Sequence, residues 1–256
     1  MARFEMFDLT GKVAIVTGGY HGIGRGIAEG MAEAGADIVV CARNYDRCAE
    51  ACADIEKMGV KAFPIRCDIR KTEDVEHLVS QTVQKMGKVN ILVNNAGVGG
   101  SEKPVLQMSD EDWEDVIRID LRGAFICSRA VIKEMIKQGG GKIINVASIM
   151  AFIATANMSA YCTSKGGMVQ LTRVMALEFT KYNIQVNALC PGYFLTPMNR
   201  NFFESQTGKK IIQKNIPMGR LGRCEELKGT AIYLASSASD FMTGSCLVID
   251  GGQMIR

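Results

Sequence analysis

Tyr161 and Lys165 stand four residues apart in the stretch SAYCTSKGG, with only small or thiol-bearing side chains between them. On a helix that spacing projects both from one face. A free phenol titrates at about 10 and is a poor base at neutral pH, but a neighbouring ammonium favours its phenolate. Upstream, Ser148 follows the apolar run of NVASIM. Interconverting a carbonyl and an alcohol requires a hydride at carbon and a proton at oxygen. A phenol to move the proton, an ammonium to tune it and hold a ribose hydroxyl, and a hydroxyl to orient the substrate oxygen form a set suited to that chemistry.

These groups need a scaffold, and the apolar pattern supplies one. Short apolar segments begin at Lys12, Asp37, Lys61, Asn90, Gly141, Ile184 and Cys246, and most are apolar on both sides, as strands covered by helices on two faces require. Helical patterns occupy about 23–34, 44–58, 72–86, 111–137, 160–181 and 224–236. The alternation predicts an α/β fold: one domain over 1–256, doubly wound, with a central parallel sheet of about seven strands. Residues 193–221 carry two prolines among mixed aromatic and polar residues, which suggests a loop with one or two short helices that serves as a substrate lid.

A hydride source is suggested at the first strand. The stretch TGGYHGIG places Gly18, Gly22 and Gly24 in a turn between strand and helix, with His21 and Ile23 between them. Small residues there let the backbone approach a pyrophosphate, and the N–H groups at the helix start can bind its oxygens. At the end of the second strand the sequence reads VVCARN, with Ala42 and Arg43 where a carboxylate would select a free ribose hydroxyl. A small residue followed by a guanidinium favours a 2′-phosphate, so NADP(H) is the expected cofactor, with NAD(H) not excluded; the other reading of Arg43 is a solvated charge at a strand end. Asp68 in RCDIR is a candidate acceptor for the adenine amino group or a helix cap. Asn95 in NNAG is expected to support the cofactor or the nearby backbone.

Composition narrows the partners. Thirty Lys and Arg against 27 Asp and Glu give a formal charge of +3, too close to neutral to suggest nucleic acid as a partner. Nine scattered cysteines without a CxxC pair read as small core residues in a reducing compartment, and no metal site is expected. No apolar run has the length of a membrane span and the opening residues lack a signal-peptide core, so the expectation is a cytoplasmic protein acting on a small alcohol or ketone.

Together, TGGYHGIG, NNAG, Ser148, YCTSK and PGYFLT resemble the short-chain dehydrogenase/reductase family over essentially the whole chain. The resemblance implies a Rossmann fold, Tyr161 as acid/base, Lys165 lowering its pKa and binding the nicotinamide ribose, Ser148 orienting substrate, Thr196 contacting the carboxamide, and a homotetramer built through long helices. In RIDLRG, Asp120 stands where the family commonly has Asn, whose backbone carbonyl positions a water beside the lysine. A carboxylate there either only fixes its helix, or acts on Lys165 or in proton transfer. The stretches FDLTGKVAIVTGG, GIAEGMAEAGADIVVCARN and PMGRLGRCEELKGTAIYLASSASDFMTG further resemble gluconate 5-dehydrogenases and the related ketogluconate-reducing branch. That implies a polyol or sugar-acid substrate, for which Lys103, Asn157, Asn199 and Arg200 are candidate partners. Reduction of 3-oxoacyl thioesters or of cyclic, steroid-like ketones is the alternative within the class, and a non-catalytic dinucleotide-binding regulator the alternative outside it. Pocket-lining candidates are Met150, Phe152, Ile153, Met158, Tyr193, Phe194, Leu195 and Met198.

Overall fold

Alternate residues of each apolar segment feed two different cores, which is why these segments are strands buried on both faces. In β1 (Val13–Thr17), Ala14 and Val16 join one core with Ile38 and Val40, while Val13 and Ile15 join the other with Val39 and Cys41 of β2 (Asp37–Ala42). Each fully buried Val or Ile contributes about 1.5–3 kcal/mol of transfer free energy before chain entropy is subtracted. The computed structural model describes residues 5–197 and 199–255.

The remaining strands are β3 (Ala62–Arg66), β4 (Ile91–Asn94), β5 (Gly141–Val146), β6 (Ile184–Pro191) and β7 (Cys246–Ile249). They form one parallel sheet in the order β3-β2-β1-β4-β5-β6-β7. Pro64 sits in β3 at the sheet edge, where a missing N–H is tolerated. One core holds side chains of α1 (Gly22–Glu33) and α2 (Tyr45–Glu56); the other holds those of α3 (Thr72–Met86). Strand order reverses between β1 and β4. Their C-terminal ends therefore flank the crevice where doubly wound sheets bind ligands.

The helix expected over 111–137 is interrupted. It consists of α4 (Asp110–Val116), a π-helical segment Ile117–Arg122, and α5 (Gly123–Lys137). The widened turn carries Asp120, fully buried, to polar contacts with Val98 N and Lys165 Nζ. Next comes α6 (Ser159–Phe179). The expected lid region holds α7 (Arg200–Glu204) and α8 (Gln206–Asn215), and α9 (Lys228–Ala235) follows it. Met198 lies outside the described residues. Among the described residues, no helix is long and apolar enough to cross a membrane, and no group of three or more His, Cys, Asp or Glu could hold a metal ion.

Candidate active site

One half of the site is built by the end of β5 and the start of α6. Ser148 lies two residues beyond β5, buried, and its Oγ accepts a hydrogen bond from Met150 N at 3.1 Å, capping the short 3-10 turn Ile149–Ala151. Because the oxygen accepts there, its own O–H remains available to donate. Tyr161 is half-buried in the first turn of α6, and the Lys165 ammonium lies 5.4 Å from its ring centroid. Lys165 Nζ also donates to Val146 O at 3.2 Å, at the end of the strand that leads to Ser148.

The π-helical segment supplies a third wall. Asp120 Oδ1 accepts from Val98 N at 2.8 Å, and Oδ2 lies 3.2 Å from Lys165 Nζ. Both side chains are almost wholly buried, at 0% and 5% exposure. Burial alone would lower the lysine's proton affinity, but Asp120 and then Tyr161 outweigh it and hold the ammonium above the ordinary lysine range. Cys190 on β6 is close enough to feel Lys165, yet burial pushes its thiol up to about 12, so it stays neutral and adds no competing anion.

The other half lies at β1 and β4. Gly22 opens α1 with φ of 56°, a left-handed conformation that glycine adopts without a Cβ penalty. A Cβ on Gly24 would collide with Asn95 Nδ2 and sit 2.6 Å from Gly18 O. Asn95 Nδ2 donates to Thr17 O at 2.9 Å and more weakly to Gly18 O at 3.3 Å, while Thr17 Oγ1 accepts from Asn95 N. Asn95 therefore serves the backbone of the glycine turn, one of the two roles expected for it. Thr196 arrives from the far end of the chain, its Cγ2 3.3 Å from where a Gly22 Cβ would stand. His21 is the N-cap residue of α1 without a side-chain capping bond, and its ring lies 4.2 Å from that of Tyr20. Ile23 packs against the core.

A sequence profile described as enoyl-(acyl carrier protein) reductase matches residues 10–254. The 2-dehydro-3-deoxy-D-gluconate 5-dehydrogenase of Formosa agariphila is 39% identical over 250 residues, covering 97% of this chain and 94% of that one. The crystal structure of a gluconate 5-dehydrogenase from Burkholderia cenocepacia J2315 in complex with NADP and tartrate superposes with a TM-score of 0.94 at 36% identity, covering 98% of each chain. A 7α-hydroxysteroid dehydrogenase complexed with NADH and 7-oxo glycochenodeoxycholic acid gives a TM-score of 0.93 at 35% identity, over 99% of this chain and 98% of that one.

The chain belongs to the short-chain dehydrogenase/reductase family. It is accordingly an NAD(P)-dependent oxidoreductase of alcohol and ketone pairs. As in other short-chain dehydrogenase/reductases, its dinucleotide end must admit a pyrophosphate, and the structure fits: Gly18, Gly22 and Gly24 add no side chain of their own to the turn at the N-terminus of α1, where Gly24 packs too closely on Asn95 and Gly18 O to carry one.

At the adenosine end, Arg43 is exposed just beyond β2 and makes no ion pair among the described residues. Asp68 is gripped by Arg70, with Nη2 at 2.7 Å and Nε at 2.9 and 3.1 Å, and those hydrogen bonds hold its carboxyl below the usual carboxylate range. It does not cap α3, whose N-cap is Lys71.

Of the apolar set expected at the substrate side, Phe152 is exposed and Ile153, Met158, Tyr193 and Leu195 are half-buried. Met150 and Phe194 are buried, and Phe194 packs in the main core against Gly222. Lys103 pairs with Asp112 at 2.7 Å and Arg200 with Glu204 at 3.5 Å, while Asn199 bonds the backbone of Thr196 and Phe194. Asn157, at φ of 69°, is exposed. Gln253, which sequence reasoning missed, comes in from the far side of β7: its side chain lies close enough to the Tyr193 hydroxyl to act on it, and its buried Oε1 has no hydrogen-bond partner among the described residues. Burial pushes the Tyr193 hydroxyl up, with Gln253 opposing, and Tyr161 and Glu102 are near enough to act on it. Gln253 carried no sequence signal because nothing in a lone glutamine near a chain end announces a contact with a loop sixty residues earlier.

Proposed function

We propose that the protein reduces the ketone of a polyol or sugar acid with NADPH, the reaction class of a 5-ketogluconate reductase. When bound, the nicotinamide supplies the hydride in reduction and accepts it in oxidation. Ser148 donates its free O–H to the substrate oxygen and fixes it beside Tyr161. Tyr161 delivers the proton to that oxygen as the carbonyl becomes an alkoxide, and Lys165 holds a positive charge against the phenol while reaching for a ribose hydroxyl. Gly18, Gly22, Gly24 and the N–H groups of His21 and Ile23 hold the pyrophosphate, Asn95 stiffens that turn, Thr196 meets the carboxamide and Asp68 the adenine.

The observation that carries the substrate class is the polar character of the wall beside Tyr161. Tyr193, whose hydroxyl is near enough to Tyr161 and Glu102 to feel both, puts a phenolic hydroxyl on that wall, which a substrate hydroxyl can hydrogen-bond and a hydrocarbon cannot. The Formosa and Burkholderia relatives, named for gluconate-type substrates, point the same way. Initial rates with 5-ketogluconate, a 3-oxoacyl thioester and a 7-oxo steroid, each with NADPH and NADH, test it. The expected order is sugar acid first; faster turnover of the steroid or thioester would replace the reading, and no turnover of any ketone would favour a dinucleotide-binding regulator.

Preference for NADPH rests on Arg43, because the two structural relatives described above hold different cofactors. Arg43→Ala removes a charge-assisted contact to the 2′-phosphate of about 1.5–3 kcal/mol, so the Kd for NADPH rises roughly 10- to 150-fold. The Kd for NADH stays put. Equal loss for both cofactors, measured by fluorescence titration, would assign Arg43 a general surface role instead.

A further inference from the structure

Asp120 introduces a full negative charge into the centre of the site, and its geometry is that of a counter-ion. Oδ1 is held by Val98 N, which leaves Oδ2 facing Lys165 Nζ at 3.2 Å with no hydrogen bond of its own among the described residues. A Cβ on Gly97 would meet both carboxylate oxygens at 3.1 and 3.2 Å, so the pair is packed from that side too. The ionisable groups around Lys165 are Asp120 from the π-helical segment, Tyr161 from its own helix, and Cys190 from β6; Tyr161 in turn faces Tyr193, which lies near Glu102 and Cys162. Asp120 is the carboxylate in contact with the ammonium.

We infer that the Asp120 carboxylate is a charge-balancing positioning residue that keeps the Tyr161–Lys165 unit loaded with its proton, biasing the site toward proton donation and hence toward ketone reduction. The physical reason is a charge count. With Asp120 ionised, the trio of carboxylate, ammonium and phenol is neutral, and losing a proton leaves a buried net charge of −1. With an amide in that place the same loss takes the site from +1 to neutral, which a low-dielectric interior favours. Asp120 therefore makes the site reluctant to become a base. Alcohol oxidation, which needs the base form, is confined to higher pH, and reduction keeps its proton donor further into the alkaline range. This deepens the function proposed above and holds for catalysis only where Tyr161 is the proton donor.

Asp120→Asn tests it and keeps an acceptor for Val98 N. Tyrosine ionisation is followed by ultraviolet difference absorbance without cofactor or substrate, and the Tyr161 signal is isolated from the six tyrosines by subtracting the Tyr161→Phe protein in each background. The Asp120→Asn midpoint moves to lower pH by roughly one to two units, as expected for removing one buried charge in contact with the Lys165 ammonium that Tyr161 faces. The acid limb of alcohol oxidation and the alkaline limb of ketone reduction move with it. An unmoved or raised midpoint overturns the inference and leaves Asp120 as a local cap on Val98.

A second arm needs no titration. Lys165→Met strands a buried carboxylate and lowers Tm, and adding Asp120→Asn restores part of the loss because the stranded charge is gone. No restoration overturns the counter-ion assignment. If Tyr161→Phe were fully active, the catalytic reading would fail while both of these measurements still decided whether the charge coupling exists.

Discussion

Tyr161→Phe lowers kcat for ketone reduction about 10²- to 10⁴-fold, the usual worth of a positioned proton donor. It leaves the Kd for NADPH unchanged, because the phenyl ring keeps the half-buried seat in α6 and still lies against the Lys165 ammonium, now 5.4 Å from the ring centroid. Only the oxygen is lost, and with it the route by which a proton reaches the nascent alkoxide. Since that interaction is made in the transition state rather than in the ground state, kcat and kcat/KM fall together while KM moves little. Steady-state rates and a binding titration on the same sample read both quantities. A variant that turns over at the native rate removes the phenol from the mechanism, and with it the enzymatic role of the Tyr161–Lys165 pair.

Gly24→Ala produces the second large effect, at the opposite end of the crevice. Its new methyl would strike Asn95 Nδ2 and stand 2.6 Å from the carbonyl oxygen of Gly18. The amide can swing away only by giving up its hydrogen bond to Thr17 O, and the Gly18 carbonyl cannot move without moving the turn. Overpacking of this kind costs about 1–3 kcal/mol. If that cost falls on the binding-competent turn, the Kd for cofactor rises roughly 5- to 150-fold. Gly229→Ala is the matched control. It lies in α9 with nothing within 4 Å of where its methyl would stand, so stability holds or improves and binding is unaffected. Isothermal titration of both variants separates them; equal affinities would mean that Gly24 is only a turn residue.

Local pattern carried most of the fold. Strands buried on both faces read as continuous apolar runs, and their two-residue period between the two cores required no knowledge of neighbours. Helices with one apolar stripe were equally legible, and α3 appears over Thr72–Met86, as the periodicity predicts. The π-helical segment at Ile117–Arg122 was not, because the 3.6-residue pattern continues on both sides of it and the polar partners of its Asp120 lie elsewhere: Val98 on the β4 loop and Lys165 on α6.

The site divides in the same way. Tyr161 and Lys165 were readable together because their relation is a property of one helix, and the glycine turn because one short loop contains it. Residues whose roles depend on distance could be named but not assigned. Asn95 turned out to brace the β1 turn, Thr196 to stand beside Gly22, and Met150 and Phe194 to be occupied in packing. Gln253 beside Tyr193 had no local signal at all.

What the amino-acid order determined by itself was the set of chemical groups and the short-range geometry between neighbours on one element. Only the tertiary structure decided which charge faces which, because the Lys165–Asp120 contact joins two segments through a buried, low-dielectric space in which a separation of 3.2 Å helps hold the lysine charged. Pairing energy of that kind depends on distance and burial, and neither is written in the spacing of residues forty-five positions apart.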